Sequence, residues 1–190
     1  MTMRWLARSA SLLAVAVLLC GQVPILNPRQ YRNVDYEFSV NIPSGLHGCK
    51  TASPNPNHGL WIPLDRHWSC EDSDDFVPYV SVSANSNTAF EAATPARLAA
   101  VECRWQGARH IVWLKGERIS GRHAAGCRRD FPDGHVEVTL FVLRKTEAWR
   151  ARWEEVSADL VTTPAHYRAD MRTFRQVVRG VWVHPDGPMR

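Results

Sequence analysis

Beyond residue 26, apolar and polar residues alternate in a series of short segments. Tyr36, Phe38, Val40 and Ile42 share one parity while Glu37, Ser39 and Asn41 hold the other. That period of two predicts a half-buried strand, ended by Pro43-Ser44-Gly45. Leu60, Ile62 and Leu64 repeat the pattern, and so do Val80, Val82 and Ala84 opposed by Ser81 and Ser83. Residues 110–114 and 122–130 are further candidate strands. Pro132-Asp133-Gly134 predicts a turn, followed by the clearest strand of the chain at Val136, Val138, Leu140 and Val142.

Residues 146–161 fit two patterns. Trp149, Trp153, Val156 and Leu160 suit a helical stripe, whereas Val156, Ala158 and Leu160 suit a strand. A strand from about Trp153 to Val161 is favoured, because a helix start follows directly. Thr94-Pro95-Ala96 and Thr163-Pro164-Ala165 each set a threonine N-cap before a proline at the first helical position. The first helix is expected to run to about Cys103, with Leu98, Ala99, Val101 and Cys103 inward. The second is expected to run to about Val181, with Tyr167, Met171, Phe174, Val178 and Val181 on one apolar face. Ala52 to Asn57 reads as a loop.

Strands, helix, strands, helix, with hairpin-length links, predict an α+β domain: a mainly antiparallel sheet packed with two principal helices. This order, opened by the strand Tyr36-Glu37-Phe38-Ser39-Val40-Asn41-Ile42-Pro43, resembles the fold of the photosystem II extrinsic P-subunit family (PsbP-like). That fold also occurs in exported bacterial proteins. The likeness spans roughly residues 36–181 and departs from the usual members in its four domain cysteines. It implies a binding or assembly domain, and fold alone fixes no activity.

The N-terminus reads as a targeting segment. Arg4 and Arg8 precede the apolar run Ala10 to Leu19, which has the length of a signal-peptide core and is short for a membrane span. Val17-Leu18-Leu19-Cys20 is similar to a lipoprotein acylation box, with a large Leu19 where a small residue is usual. Three outcomes stay open: cleavage and release, lipidation at Cys20, or an uncleaved anchor. All three place the rest of the chain outside the cytoplasm. The expected division is a signal, lipoprotein or anchor segment over 1–26 and one domain over 27–185, in a periplasmic or outer-envelope setting.

Cysteine usage agrees with that compartment. Besides Cys20 there are Cys49, Cys70, Cys103 and Cys127, an even number that reads as two disulfides. Four cysteines allow three connectivities. Cys49–Cys70 with Cys103–Cys127 is favoured, because each pair closes a short loop. The competing reading is a zinc site from Cys49, His58, His67 and Cys70, but no second tight pair completes the set. No metal or cofactor is expected.

Charge excludes one class of partner. The 23 Lys and Arg include Arg4 and Arg8 of the leader, so 21 face 19 Asp and Glu in the remainder. That balance does not suit nucleic acid. No phosphate loop, dinucleotide glycine pattern, nucleophile elbow or zinc-protease helix is present.

What remains are candidate surfaces. Glu71, Asp72, Asp74 and Asp75 form an acidic run that reads as a solvated loop or a partner-facing patch. Arg168, Arg172, Arg175 and Arg179 recur at helical spacing about 100° from the apolar face. They read as arginine stems along the core edge or as a basic stripe for an acidic partner. Trp61 is offset from the Leu60/Ile62 parity and so is a candidate for a binding surface. His58 is a candidate general base, read first as a turn histidine. The expectation is a non-catalytic exported protein that binds another envelope or secreted protein, such as a toxin or cell-wall enzyme that it restrains. The alternatives are a small exported hydrolase or metal-dependent enzyme built on His58, His67 and the acidic run, and a lipid-anchored assembly factor.

Overall fold

The alternating segments pair into antiparallel sheets, and parity decides which face each side chain takes. The structure, a computed structural model, describes residues 29–50, 58–70, 77–86, 93–104, 107–145 and 153–185. The leader with Cys20 and the acidic run Glu71, Asp72, Asp74 and Asp75 lie outside the described residues.

Seven strands form the main sheet: β3 (Cys49–Lys50), β4 (Gly59–Pro63), β5 (Tyr79–Ser86), β6 (His110–Leu114), β9 (Ala125–Asp130), β10 (Val136–Lys145) and β11 (Trp153–Thr162). Their order is β3-β4-β5-β11-β10-β9-β6, with every neighbouring pair antiparallel. A second sheet sets β2 (Phe38–Asn41) between β1 (Gln30–Asn33) and β12 (Val181–Val183). A short hairpin joins β7 (Arg118–Ile119) to β8 (Arg122–His123). Its two-residue turn, Ser120 and Gly121, has positive φ at both positions, which suits the twist of the flanking strands. Among the described residues the helices are α1 (Pro95–Glu102) and α2 (Tyr167–Gly180).

The first face of the main sheet carries the core. Leu60, Ile62, Val80, Val82, Val138, Leu140, Val156, Ala158 and Leu160 pack with Met171, Phe174, Val177 and Val178 of α2. Phe38, Val40, Val181 and Val183 of the small sheet join the same cluster. Each such large side chain contributes about 1.5–3 kcal/mol on burial. The second face carries the opposite parity and is mostly polar at its centre. Helix α1 covers one end of it, placing Leu98, Ala99 and Cys103 against Cys127, Phe141 and Leu143.

The helix starts differ. Thr94 caps α1 as expected, its hydroxyl accepting from the Arg97 amide (3.3 Å). Val101, expected inward, is exposed on α1. α2 begins later than expected, at Tyr167, after a turn in which the His166 and Tyr167 amides both donate to the Thr163 carbonyl (3.1 and 2.9 Å). Beside it the Thr162 hydroxyl donates to the Asp170 carboxylate. Asp170 sits in the first turn of α2, where a negative charge suits the helix N-terminus.

Candidate functional site

Strand register builds the site. Cys49, Trp61, Ser81, Asp159, Thr139, Cys127 and Trp113 stand opposite one another in a single line across all seven strands. Neighbours in that line are about 4.8 Å apart, so it crosses the whole second face. One disulfide lies toward each end: Cys49–Cys70 at the β3 edge (Cα–Cα 5.5 Å) and Cys103–Cys127 beneath α1 (Cα–Cα 6.1 Å). This is the pairing that loop length favoured.

At the β3 end stands an aromatic group. The half-buried Trp61 ring meets Trp68 edge to face at 4.8 Å and Tyr79 at 6.1 Å. Between this group and α1 runs a polar strip of Ser81, Ser83, Ser157, Asp159 and Thr139. The Ser157 and Ser81 hydroxyls both donate to Asp159 Oδ2 (3.2 and 3.4 Å). The Ser157 proton is thereby used, so in the 3.0 Å Ser83–Ser157 pair Ser83 is the donor. Arg129 closes the α1 side. It pairs with Glu137 across β9 and β10 (2.6 Å), and donates to the Thr139 hydroxyl and the Glu102 carbonyl (both 3.4 Å).

Two carboxyls of the strip hold their protons unusually well. Burial raises Asp159 to about 6, against the opposing pull of the Thr139 and Ser157 hydrogen bonds and the Arg129 charge. Burial raises Glu155 to about 7, helped by the negative charges of Glu102 and Asp159. The Tyr79 phenol is also raised, first by burial and then by Asp159 and Glu137. The strip is thus a hydrogen-bonding surface whose charge changes near neutral pH.

A second polar cluster lies at the other end of β4. The Tyr36 hydroxyl lies 3.2 Å from His58 Nε2, and His58 Nδ1 lies 2.6 Å from Asn85 Oδ1. Nearby, the fully buried Arg144 bridges Glu154 (3.1 Å) and Glu37 (2.5 Å) and donates to the Tyr36 carbonyl (3.3 Å). Glu37 is held at φ 47, a conformation unusual for a residue other than glycine.

The structure separates the candidates that sequence grouped. His58 and His67 flank β4 at opposite ends, roughly 13 Å or more apart for a strand of that length. The imidazole brought to Cys49 and Cys70 is His47, not His58 or His67. Arg168, Arg172, Arg175 and Arg179 are all exposed on α2, which packs on the first face, so they lie on the opposite side from Trp61. Arg175 pairs with Glu117 (3.3 Å); the other three have no acidic partner among the described residues.

No family model and no curated protein matches this chain. Among solved structures, the solution structure of cyanobacterial PsbP (CyanoP) from Synechocystis sp. PCC 6803 matches over 87% of this chain and 97% of that one. The TM-score is 0.50 and the sequence identity 15%. The chain therefore has a PsbP-like α+β fold, and at this identity the likeness is one of fold alone.

Proposed function

We propose that the chain is an exported, non-catalytic binding protein of a bacterial cell envelope, holding a partner protein on the second face of its main sheet. The carrying observation is the line from Trp61 through Ser81 and Asp159 to Thr139, an aromatic group beside a hydrogen-bonding strip. Aromatic side chains next to polar groups are the usual anchors of protein interfaces. Both disulfides fit an oxidising compartment, and the leader supplies export, ending in release, in acylation at Cys20 or in an uncleaved anchor. A toxin or cell-wall enzyme restrained by this face is the partner class that suits such a compartment.

Catalysis is disfavoured by what surrounds each candidate group. Among the described residues no imidazole lies against Ser81, Ser83 or Ser157, whose protons serve Asp159 and one another. Glu155 and Asp159 are four residues apart on one strand, about 13 Å, too far to bracket a single bond. Glu137, nearer to Asp159, is engaged by Arg129 and by His135 (3.3 Å).

In-cell photo-crosslinking tests the reading. A photoreactive amino acid replaces Trp61 or Ser83 in the full chain, and Arg168 as the comparison position. A discrete protein adduct is expected from Trp61 and Ser83 in the envelope fraction, and it should disappear when Asp159→Lys is added. Adducts of equal yield from Arg168, or none from the second face, would overturn the proposal.

A further inference from the structure

The two disulfides have different surroundings. Cys103 and Cys127 are buried under α1, at 1% and 0% exposure. Cys49 is buried on the two-residue edge strand β3, but its partner Cys70 is exposed. The half-buried His47 lies beside this second pair. One ring nitrogen of His47 and the two sulfurs all fall within 4.8 Å of one another. Among the described residues this is the one cluster with metal-ligand character. Two thiolates and an imidazole suit a thiophilic d10 cation, with a fourth position left for water.

We propose that the Cys49–Cys70 bridge is the oxidised form of a metal site, and that reduction frees Cys49, Cys70 and His47 to bind one thiophilic cation such as Zn2+. The reductant is a dithiol. Its thiolate attacks the sulfur of Cys70, the exposed residue of the pair, and Cys49 leaves as a thiolate beside the His47 imidazole. The second thiol of the reductant then displaces Cys70 and closes the reductant to its own disulfide. Two electrons and two protons pass to the protein, which ends with two thiols. Binding of Zn2+ releases both thiol protons and uses neutral His47 as the third ligand. The Cys103–Cys127 pair is buried and has no neighbouring imidazole among the described residues, so it stays closed while the first bridge opens. Trp61 stands directly opposite Cys49 across the β3–β4 pair, so its fluorescence reports the change.

The test uses the full chain carrying Cys20→Ser, so that the leader thiol does not count. Mild dithiothreitol without denaturant should release two thiols, with the far-ultraviolet spectrum unchanged. After removal of the reductant under argon, Zn2+ titrated against a chromophoric chelator should bind at one equivalent. The unreduced protein should bind none, and His47→Ala should weaken binding at least tenfold. Cys49→Ser with Cys70→Ser should abolish it; should that variant fold poorly, alkylation of the reduced parent with iodoacetamide gives the same readout. Release of all four thiols together, loss of the folded spectrum on reduction, or zinc affinity unchanged in His47→Ala would each overturn the proposal.

Discussion

Asp159 sits at the middle of the main sheet, where register places Ser81 on one side and Thr139 on the other. Its carboxyl is raised from 3.8 to about 6, and that of Glu155 from 4.5 to about 7, both chiefly by burial. Both groups bind their protons more tightly in the folded chain than in the unfolded one. Their stabilising contribution is therefore complete below the unfolded values, and it is lost as pH rises through about 6 and about 7. Each full shift corresponds to about 3 kcal/mol, and solvent reaching these half-buried groups reduces that to roughly 1–2 kcal/mol. Urea midpoints should fall between about pH 4 and about pH 7 and level off above that. Asp159→Asn, which keeps an acceptor for the two serine hydroxyls, should flatten the lower part of that decline and gain about 1 kcal/mol at pH 8. An unchanged slope in the variant would show that Asp159 is solvated like an ordinary surface acid. Alternation put Trp61 off the core face in advance. It also set Glu155, Ser157 and Asp159 opposite Val156, Ala158 and Leu160, but polar residues at such positions read equally well as a solvated outer face. Only the cross-strand register, absent from local sequence, shows Asp159 closed in by its neighbours.

The longest pairing in the fold, β10 with β11, carries an ion pair inside the core parity. Arg144 and Glu154 stand opposite each other in register, on the face that otherwise holds Val142 and Val156. Arg144 reaches across to Glu37 and the Tyr36 carbonyl, so a charged side chain ties the main sheet to the chain segment between β1 and β2. Breaking a buried pair from one side leaves a buried charge. Arg144→Met should cost about 3–5 kcal/mol in chemical denaturation, and adding Glu154→Gln should restore part of that loss. A double variant no more stable than the single one would mean that Arg144 acts by packing alone. The long, strongly alternating elements were readable in advance: β10, β11 and the apolar face of α2. The missed strands have clear physical reasons. β1 and β3 are four and two residues long, too short to show a period. β12 follows α2 without a break. Val178 and Val181 enter one core, and a spacing of three suits a helix as well as the turn into a strand. The expected single strand over 122–130 divides into β8 and β9, because the Ala124 amide turns aside to the Glu117 carbonyl (3.0 Å).

At the scale of the molecule, the first face is held by a large apolar cluster, whereas the second depends on covalent help. Helix α1 has eight residues and buries only Leu98 and Ala99, too little to hold a helix of that length by packing alone. The Cys103–Cys127 bridge, across a sequence separation of 24, joins the end of α1 to β9, beside the β6 edge of the sheet's second face. Its presence was readable from cysteine count and compartment, but its task was not, since nothing local says that α1 lies over Phe141 and Leu143. Constraint of the unfolded chain by such a loop contributes about 3 kcal/mol. Loss of the bridge should act unevenly. In Cys103→Ala with Cys127→Ala, amide hydrogen exchange should rise first and most in residues 95–102, while β10, β11 and α2 keep their protection. Undocking α1 would also carry Glu102 away from Glu155, removing one of the charges that add to burial in raising the Glu155 pKa. Uniform loss of protection across the sheet would instead mean that α1 and the first-face core unfold as one unit, and that the bridge stabilises the whole domain rather than positioning one wall of the site.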